Sequence, residues 1–483
     1  MDLQTAQPAA EAARLQGRVA LVVGLGKSGV SAARLLAAVG ARVRACDEKP
    51  AAALTETLAG LPALEQGFFG GLTAAAFEGV ELVVLSPGVP RAHPLLQDAF
   101  ARGVELIGEV ELAARLLPDS EPLIGITGTN GKSTTTALTA HLLSSAGLRV
   151  FAGGNLGTPL SERVLAGGKL DASVCELSSF QLETIDRLRC RSAVVLNVTP
   201  DHLDRYPSLE AYAATKARIF ERQGPGDLCA LSWADPRVRR MKPGAGAETI
   251  FFDARLPAEQ DASPPGGLFG RRTGPRSLEA GGGAYHLTAP TLRGDHNVEN
   301  ALAALSLVRP FKLTHAQLQR GLDTYPGLAH RLEPVATIDG VEWLNDSKAT
   351  NVDSVEKSLS AFPSEPGSAG RVLLLMGGKG KGAPYAPLRP LFAGRIRALF
   401  TLGADGPRIE AELGDLCESH QCGDLAAAME KARALARPGD FVLLSPACAS
   451  YDQFKHFEDR GDQFKARVAG FARSAVLPAE GAP

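Results

Sequence analysis

The chain has 483 residues, a length that accommodates about three domains of ordinary size. Apolar residues make up 45% and charged residues 22%, the balance of a soluble globular protein. The formal net charge of −2 excludes a global basic field for nucleic acid, so any anionic ligand must be held by local positive groups. No apolar run reaches the roughly 20 residues that span a bilayer, and residues 1–18 carry no apolar stretch flanked by basic residues. The seven Cys stand singly, without a Cys-x-x-Cys pair or a His at zinc-ligand spacing. A reduced cytoplasmic protein with neither export signal nor membrane anchor is expected.

In chain order, the apolar run 19–23 leads into Gly24-Leu-Gly-Lys-Ser-Gly29, a helical stretch 30–39, and a second strand 42–45 that ends at Asp47. This spacing predicts a Rossmann-like domain: glycines let backbone approach a pyrophosphate at a helix N-terminus, and an acid after the second strand accepts a hydroxyl. The same geometry takes any nucleotide diphosphate, so it does not specify NAD. A further strand, 82–85, runs into Ser86-Pro-Gly-Val-Pro90, where the prolines either stop the strand or border a ligand. A helical, charged stretch over 108–117 and the punctuation at 118–122 place a domain boundary near 109.

Residues 125–136 read Gly-Ile-Thr-Gly-Thr-Asn-Gly-Lys-Ser-Thr-Thr-Thr, between the apolar run 123–126 and an amphipathic run 137–146. A strand, a glycine turn and a helix start follow. Backbone N–H groups there converge on an anion, Lys132 adds a full charge, and Ser133 or Thr134 offers a metal a hydroxyl, which points to a nucleoside triphosphate with magnesium. The usual phosphate-loop spacing wants Gly where Ile126 stands, so the loop is a shortened variant. The alternative is a glycine turn that only joins strand to helix.

Beyond it, Gly153-Gly-Asn155-Leu-Gly157, the strand 172–175 leading to Glu176, and the strand 193–196 leading to Asn197-Val-Thr-Pro-Asp-His-Leu-Asp204 each deliver polar residues at a strand's C-terminal end, where a parallel sheet builds its site. Glu176 and Ser133 are candidate magnesium ligands by position. His202 either joins a second metal site or only hydrogen-bonds. Helical periodicity puts Lys216 among exposed charges. Residues 253–284, rich in Pro, Gly and Arg, read as a surface excursion or mobile loop, with Arg271, Arg272 and Arg276 solvated. His296-Asn297-Val-Glu-Asn300 opens a helix. From about 328 strands and helices alternate again, at 342–344, 371–376, 398–402 and 441–444, and Asp346-Ser-Lys348-Ala-Thr350 is either solvated or aimed at a ligand.

On motifs alone two other classes stay open: an NAD-dependent oxidoreductase, which leaves Lys132 idle, and a nucleotide-regulated scaffold without turnover. The loop 128–134, Glu176-Leu-Ser-Ser-Phe-Gln-Leu-Glu183, the 197–204 motif, Gly294-Asp-His-Asn297, Ala329-His-Arg331, Asn345-Asp-Ser-Lys-Ala-Thr-Asn351 and Ser445-Pro-Ala-Cys-Ala-Ser-Tyr-Asp-Gln-Phe454 together resemble the Mur ligases, which build the bacterial cell-wall peptide. The resemblance covers nearly the whole chain.

It implies an α/β fold of three domains: a Rossmann-like UDP-substrate domain over 1–109, a central P-loop ATPase domain with a mostly parallel sheet over 110–327, and a Rossmann-like amino-acid domain over 328–483. It implies an ADP-forming ligase, monomeric, that joins D-glutamate to UDP-N-acetylmuramoyl-L-alanine through an acyl phosphate, using ATP and two Mg²⁺. Other amino-acid acceptors remain open within the family. Carried over residue by residue, Gly128, Thr129, Asn130, Gly131, Lys132, Ser133 and Thr134 would cradle the ATP phosphates, with Asn297, Asn300, Arg331 (His330 beside it) and Asp346 around the rest of the nucleotide. Ser133 and Glu176 would hold one magnesium and His202 the other, with Lys216 as a carbamylated ligand; Lys132, His202 and Lys216 would be catalytic. Gly26, Lys27, Asp47 and Ser86 would meet the uridine diphosphate, Asn155 the muramoyl part, and Lys348, Thr350, Ser450 and Phe457 the D-glutamate. Two departures stand out: Lys379 where relatives carry an acid, and Tyr451 where they carry an aliphatic residue.

Overall fold

The computed structural model describes residues 6–155, 157–202, 205–259, 263–264, 266–364, 367 and 370–476. Leu156 of the 153–157 stretch and Leu203 and Asp204 of the 197–204 motif lie outside them. The chain forms two compact units: residues 1–286 with 298–323, and residues 287–297 with 324–483.

The first unit holds two sheets. One has five parallel strands in the order Gln66–Phe69, Arg42–Asp47, Val19–Val23, Leu82–Leu85, Glu105–Gly108. From Val19–Val23 the chain winds first to one side and then to the other, which opens a crevice at the carboxyl ends of Val19–Val23 and Leu82–Leu85. Val19–Val23 is buried at every position, as a parallel strand covered on both faces must be.

The other sheet has nine strands, in the order Gly283–His286, Ser277–Ala280, Gly270–Gly274, Glu248–Asp253, Leu228–Ser232, Ser192–Val195, Leu123–Thr127, Ala172–Glu176, Val150–Gly154. It is parallel from Val150–Gly154 as far as Gly270–Gly274, and the last two strands turn back as an antiparallel meander. This meander corrects the expectation of a loop over 253–284. Leu278, Ala280 and Tyr285 alternate inward and are buried, and buried Arg272 gives its guanidinium to the carbonyls of Gly274 and Pro275, whereas Arg271 is solvated as expected and pairs with Glu279. Short strands interrupted by glycine leave too few alternations for the pattern to be read. The outer strand is covered by the helix His315–Asp323: the Gln319 amide accepts from His286 N–H and donates to its carbonyl, and His315 Nε2 lies 2.7 Å from Ala284 O.

One apolar core runs through this unit, from Leu15, Val22 and Leu112 to Leu160, Leu188 and Phe220. Buried Glu111, on the helix Glu109–Leu116, accepts from the backbone of Asp186, Arg187 and Leu188 and from Arg115, tying the two sheets' connections together.

The second unit is built on a six-stranded sheet, Glu333–Ile338, Val341–Asn345, Phe441–Leu444, Val372–Gly377, Ile396–Leu402, Glu418–Gly423, parallel except for the hairpin at 338–341. Apolar clusters on both faces, around Val355, Leu374 and Leu399 on one and Trp343, Phe400 and Phe464 on the other, account for its apolar runs. The edge strand Glu418–Gly423 is polar, which is why its pattern does not announce it.

Candidate active site

In the nine-stranded sheet, Leu123–Thr127 lies between Ala172–Glu176 and Ser192–Val195, so the loops that follow all three meet at one edge. The glycine loop turns at Gly131, whose φ of +84° suits glycine and whose missing Cβ would sit 2.4 Å from Asn300 Oδ1. Asn197 latches the loop: its carbonyl accepts from Thr129 N–H at 2.9 Å and its side-chain oxygen from Asn130 N–H at 2.9 Å. Behind the loop, Thr135 Oγ1 donates to buried Asn300 Oδ1 at 3.1 Å, so Asn300 braces the start of the helix Lys132–Ser145. Asn297 belongs to the other unit, where its amide donates to Arg293 O.

Two lysines converge on one carbonyl. Lys132 Nζ donates to Gly128 O at 3.0 Å and Thr129 O at 2.8 Å, and Lys216 Nζ donates to Gly128 O at 2.9 Å. The expectation of an exposed Lys216 is corrected: it is 1% exposed, with its ammonium 4.4 Å from the Tyr212 ring centroid. Its amine is covered by Gly128 O, from a loop far away in sequence, and by the Tyr212 ring one turn earlier on the same helix. Burial, with Lys132 nearby, pushes its amine down to about 7, against the opposing pull of Asp201 and Glu176.

Glu176, 3% exposed, accepts from Asn155 Nδ2 at 2.6 Å through Oε1, while Oε2 is buried with no hydrogen-bond partner among the described residues. A buried orphan carboxylate oxygen and a buried Ser133 hydroxyl, carried on loops that share one sheet edge, are oxygen donors of the type suited to a hard divalent cation. His202 is exposed with a φ of +52°, its ring 4.8 Å from Phe180 and 6.2 Å from Tyr212, which also carries Lys216. Thr134 is half-buried on the first turn of the helix. Asn197 and Tyr212 were not singled out by sequence; Asn197 stood inside a quoted motif, whereas nothing local marks Tyr212.

At the crevice of the five-stranded sheet, Asp47 Oδ2 accepts from Leu25 N–H at 2.7 Å and Ser86 Oγ donates to Gly24 O at 2.6 Å, next to exposed Gly26 and Lys27. These four expected residues are brought together.

In the second unit, the loops after Val341–Asn345, Phe441–Leu444 and Val372–Gly377 share an edge. Buried Asp346 accepts from Leu332 N–H, Ser358 Oγ at 2.5 Å and Ser445 Oγ at 2.8 Å, and burial raises its carboxyl to about 6. Lys348 Nζ lies 5.5 Å from the Phe457 ring centroid, Ser450 is buried, Thr350 is half-buried and Arg331 is exposed. His330, left-handed at φ +63°, meets Asn345 Nδ2 at 3.0 Å. Sequence gave no signal for Arg460, fully buried on the helix Phe457–Val476. It donates to Ser347 Oγ and to the carbonyls of Ser347, Gly377 and Cys448, binding the three loops together, and burial lowers it to about 10.

Comparison with known proteins agrees with this arrangement along the chain. The Mur ligase MurD-like N-terminal domain matches residues 18–108, the Mur ligase middle domain 126–308, and the Mur ligase glutamate ligase domain 330–448. A UDP-N-acetylmuramoylalanine–D-glutamate ligase from Anaeromyxobacter dehalogenans is 54% identical over 96% of this chain and 100% of its own length, and one from Myxococcus xanthus 50% identical over 94% and 98%. In fold, the chain is similar to a UDP-N-acetylmuramate-alanine ligase from Thermotoga maritima (TM-score 0.57, 19% identity, 94% of this chain and 99% of that one) and to a pseudomurein peptide ligase type C from Methanothermus fervidus (TM-score 0.53, 18% identity, 94% and 100%). The chain belongs to the Mur ligase family.

Proposed function

We propose that this chain is an ATP-dependent amide ligase that adds D-glutamate to UDP-N-acetylmuramoyl-L-alanine in peptidoglycan precursor synthesis, releasing ADP and phosphate. The observation that carries the reading is the gathering of Lys132, Lys216 and a buried Glu176 oxygen without a hydrogen-bond partner among the described residues around the glycine loop. The names of the relatives that match along almost the whole chain support the choice of substrates.

A carboxylate is a poor electrophile until one of its oxygens becomes a leaving group. The substrate carboxylate oxygen attacks the γ-phosphorus, the bond to the β-phosphate oxygen breaks, and ADP leaves. The amine of D-glutamate then adds to the acyl carbon, loses a proton, and phosphate departs as the amide forms. Loop N–H groups and the Lys132 ammonium neutralise charge on the moving phosphoryl, which is the main demand of such a transfer. Ser133 and Glu176 would hold one Mg²⁺ and His202 with Lys216 a second, supplying charge neutralisation at the phosphates. The amine of Lys216, pushed down to about 7, is available to attack CO₂ carbon and lose a proton, which turns it into an anionic carbamate. Gly26, Lys27, Asp47 and Ser86 bind the uridine diphosphate and Asn155 the muramoyl part. Asn297, Asn300, Arg331 and Asp346 serve the nucleotide, and Lys348, Thr350, Ser450 and Phe457 the D-glutamate. Domains 1–109, 110–327 and 328–483, a monomer and a cytoplasmic location complete the reading; among the described residues no helix is long and apolar enough to cross a membrane.

ADP formation with UDP-N-acetylmuramoyl-L-alanine, Mg²⁺ and either D-glutamate, L-alanine, L-lysine or diaminopimelate tests it. D-glutamate alone should support turnover; turnover with another acceptor, or none with D-glutamate, overturns it. Bicarbonate dependence, and rescue of Lys216→Ala by short-chain acids, test the carbamate.

A further inference from the structure

In the second unit a relay of buried side chains links the loop that carries Asp405 to the one that carries Cys448 and Ser450. Tyr385, 2% exposed, places its hydroxyl 2.7 Å from Asp405 Oδ2 and 3.0 Å from the Sγ of Cys448, which is fully buried. A phenol has one proton, and the stronger acceptor is the carboxylate, so Tyr385 donates to Asp405 and the Cys448 thiol donates to the phenol oxygen. Burial pushes the thiol up to about 11, which keeps that proton in place.

Each end of this relay controls a loop. Asp405 sits under 377–382: its N–H donates to Gly378 O at 2.9 Å, and a Cβ on Gly380 would lie 1.9 Å from Asp405 Oδ2, so the loop can cross the carboxylate only as glycine. Cys448 precedes Ala449 and Ser450 and follows Ala447, which is held left-handed at φ +57°. The loops also pair directly, Lys379 N–H with Ala449 O at 2.8 Å and Ala449 N–H with Lys379 O at 3.1 Å. The loop 377–382 is thus held against the loop that carries Ser450 by the Lys379–Ala449 backbone pair and by Gly377 N–H on Pro446 O at 2.9 Å, with Arg460 bridging the carbonyls of Gly377 and Cys448 and the Tyr385 relay adding a side-chain link.

We propose that Tyr385 is a positioning residue for the incoming amino acid: through Asp405 and Cys448 it fixes the loop 377–382 against Ser450, so that the acidic acceptor meets cations and hydroxyl at one spacing. The inference rests on the D-glutamate ligase reading. Tyr385 touches no substrate; it acts through the loops, and its loss should weaken capture of the acceptor while leaving phosphoryl transfer intact.

The test is steady-state ADP release by the full-length protein with UDP-N-acetylmuramoyl-L-alanine, Mg²⁺, and D-glutamate or ATP varied. Tyr385→Phe keeps the ring and removes the hydroxyl; KM for D-glutamate should rise about tenfold, with kcat and KM for ATP within about twofold. Cys448→Ala should reproduce that split, and Cys448→Ser, which retains a donor, should restore a KM near that of the parent. If the parent is active and both Tyr385→Phe and Cys448→Ala keep its KM for D-glutamate, or if they change kcat and both KM values together, the positioning role is overturned and the ligase reading stands. If the parent releases no ADP on addition of D-glutamate, both are overturned.

Discussion

The glycine-loop site of the first unit and the strand-end site of the second handle buried charge in opposite ways. Around the glycine loop, one Glu176 oxygen has no hydrogen-bond partner among the described residues and Lys216 is buried with a depressed amine, sharing the Gly128 carbonyl with Lys132. At the second unit's sheet edge, Asp346 accepts three hydrogen bonds and Arg460 donates four. The first site holds buried charge that its own described side chains leave partly unmatched. The second is finished beforehand and serves to orient.

The contrast can be broken at several depths. Removing the Lys132 charge, proposed above to face the phosphates, should have the largest effect: Lys132→Ala is expected to lower D-glutamate-dependent ADP release by about a thousandfold or more, with thermal unfolding close to the parent. Next comes the depressed amine. Below about pH 7 Lys216 is charged in both folded and unfolded chains and its burial cost is constant. Between about 7 and 10.5 only the unfolded chain holds the extra proton, so stability rises with pH. In Mg²⁺-free and bicarbonate-free buffer, the stability of the parent relative to Lys216→Met should improve by about 2 kcal/mol from about pH 7 to about pH 8.5 in urea unfolding; a flat difference would remove the electrostatic half of the comparison. In the second site, Ser358→Ala takes one of three donors from a buried carboxylate and should cost about 1 to 2 kcal/mol; no cost would mean that Asp346 is less completely satisfied than its distances imply. The smallest effect serves as a control away from both sites: Arg271→Ala breaks an exposed pair with Glu279 and should change stability by less than about 0.5 kcal/mol.

Strand-ending motifs were legible because a parallel sheet writes them plainly: an unbroken apolar run, then small and polar residues at the carboxyl edge. That rule located the loops after Val23, Leu85, Thr127, Glu176, Val195 and Leu444. It could not say which polar residues face inward. Lys216 was misread because helix periodicity knows nothing of Gly128, whose loop meets the amine only after folding, and Arg460 was invisible because its partners are Ser347 Oγ and carbonyls from three loops. The strands Gly270–Gly274, Ser277–Ala280 and Gly283–His286 were missed for the opposite reason, since their signal is local but only four or five residues long and diluted by glycine. Chemistry at strand ends is written in sequence order, whereas burial is decided by elements that meet only after folding.

The amide of Gln319 has a further consequence. A strand at the rim of a sheet offers a ladder of open donors and acceptors, and another polypeptide can add to it. Because Gln319 occupies both groups of His286, and His315 the carbonyl of Ala284, the nine-stranded sheet presents no ready template on that side. Two side chains of one helix thereby guard that edge against pairing with another chain.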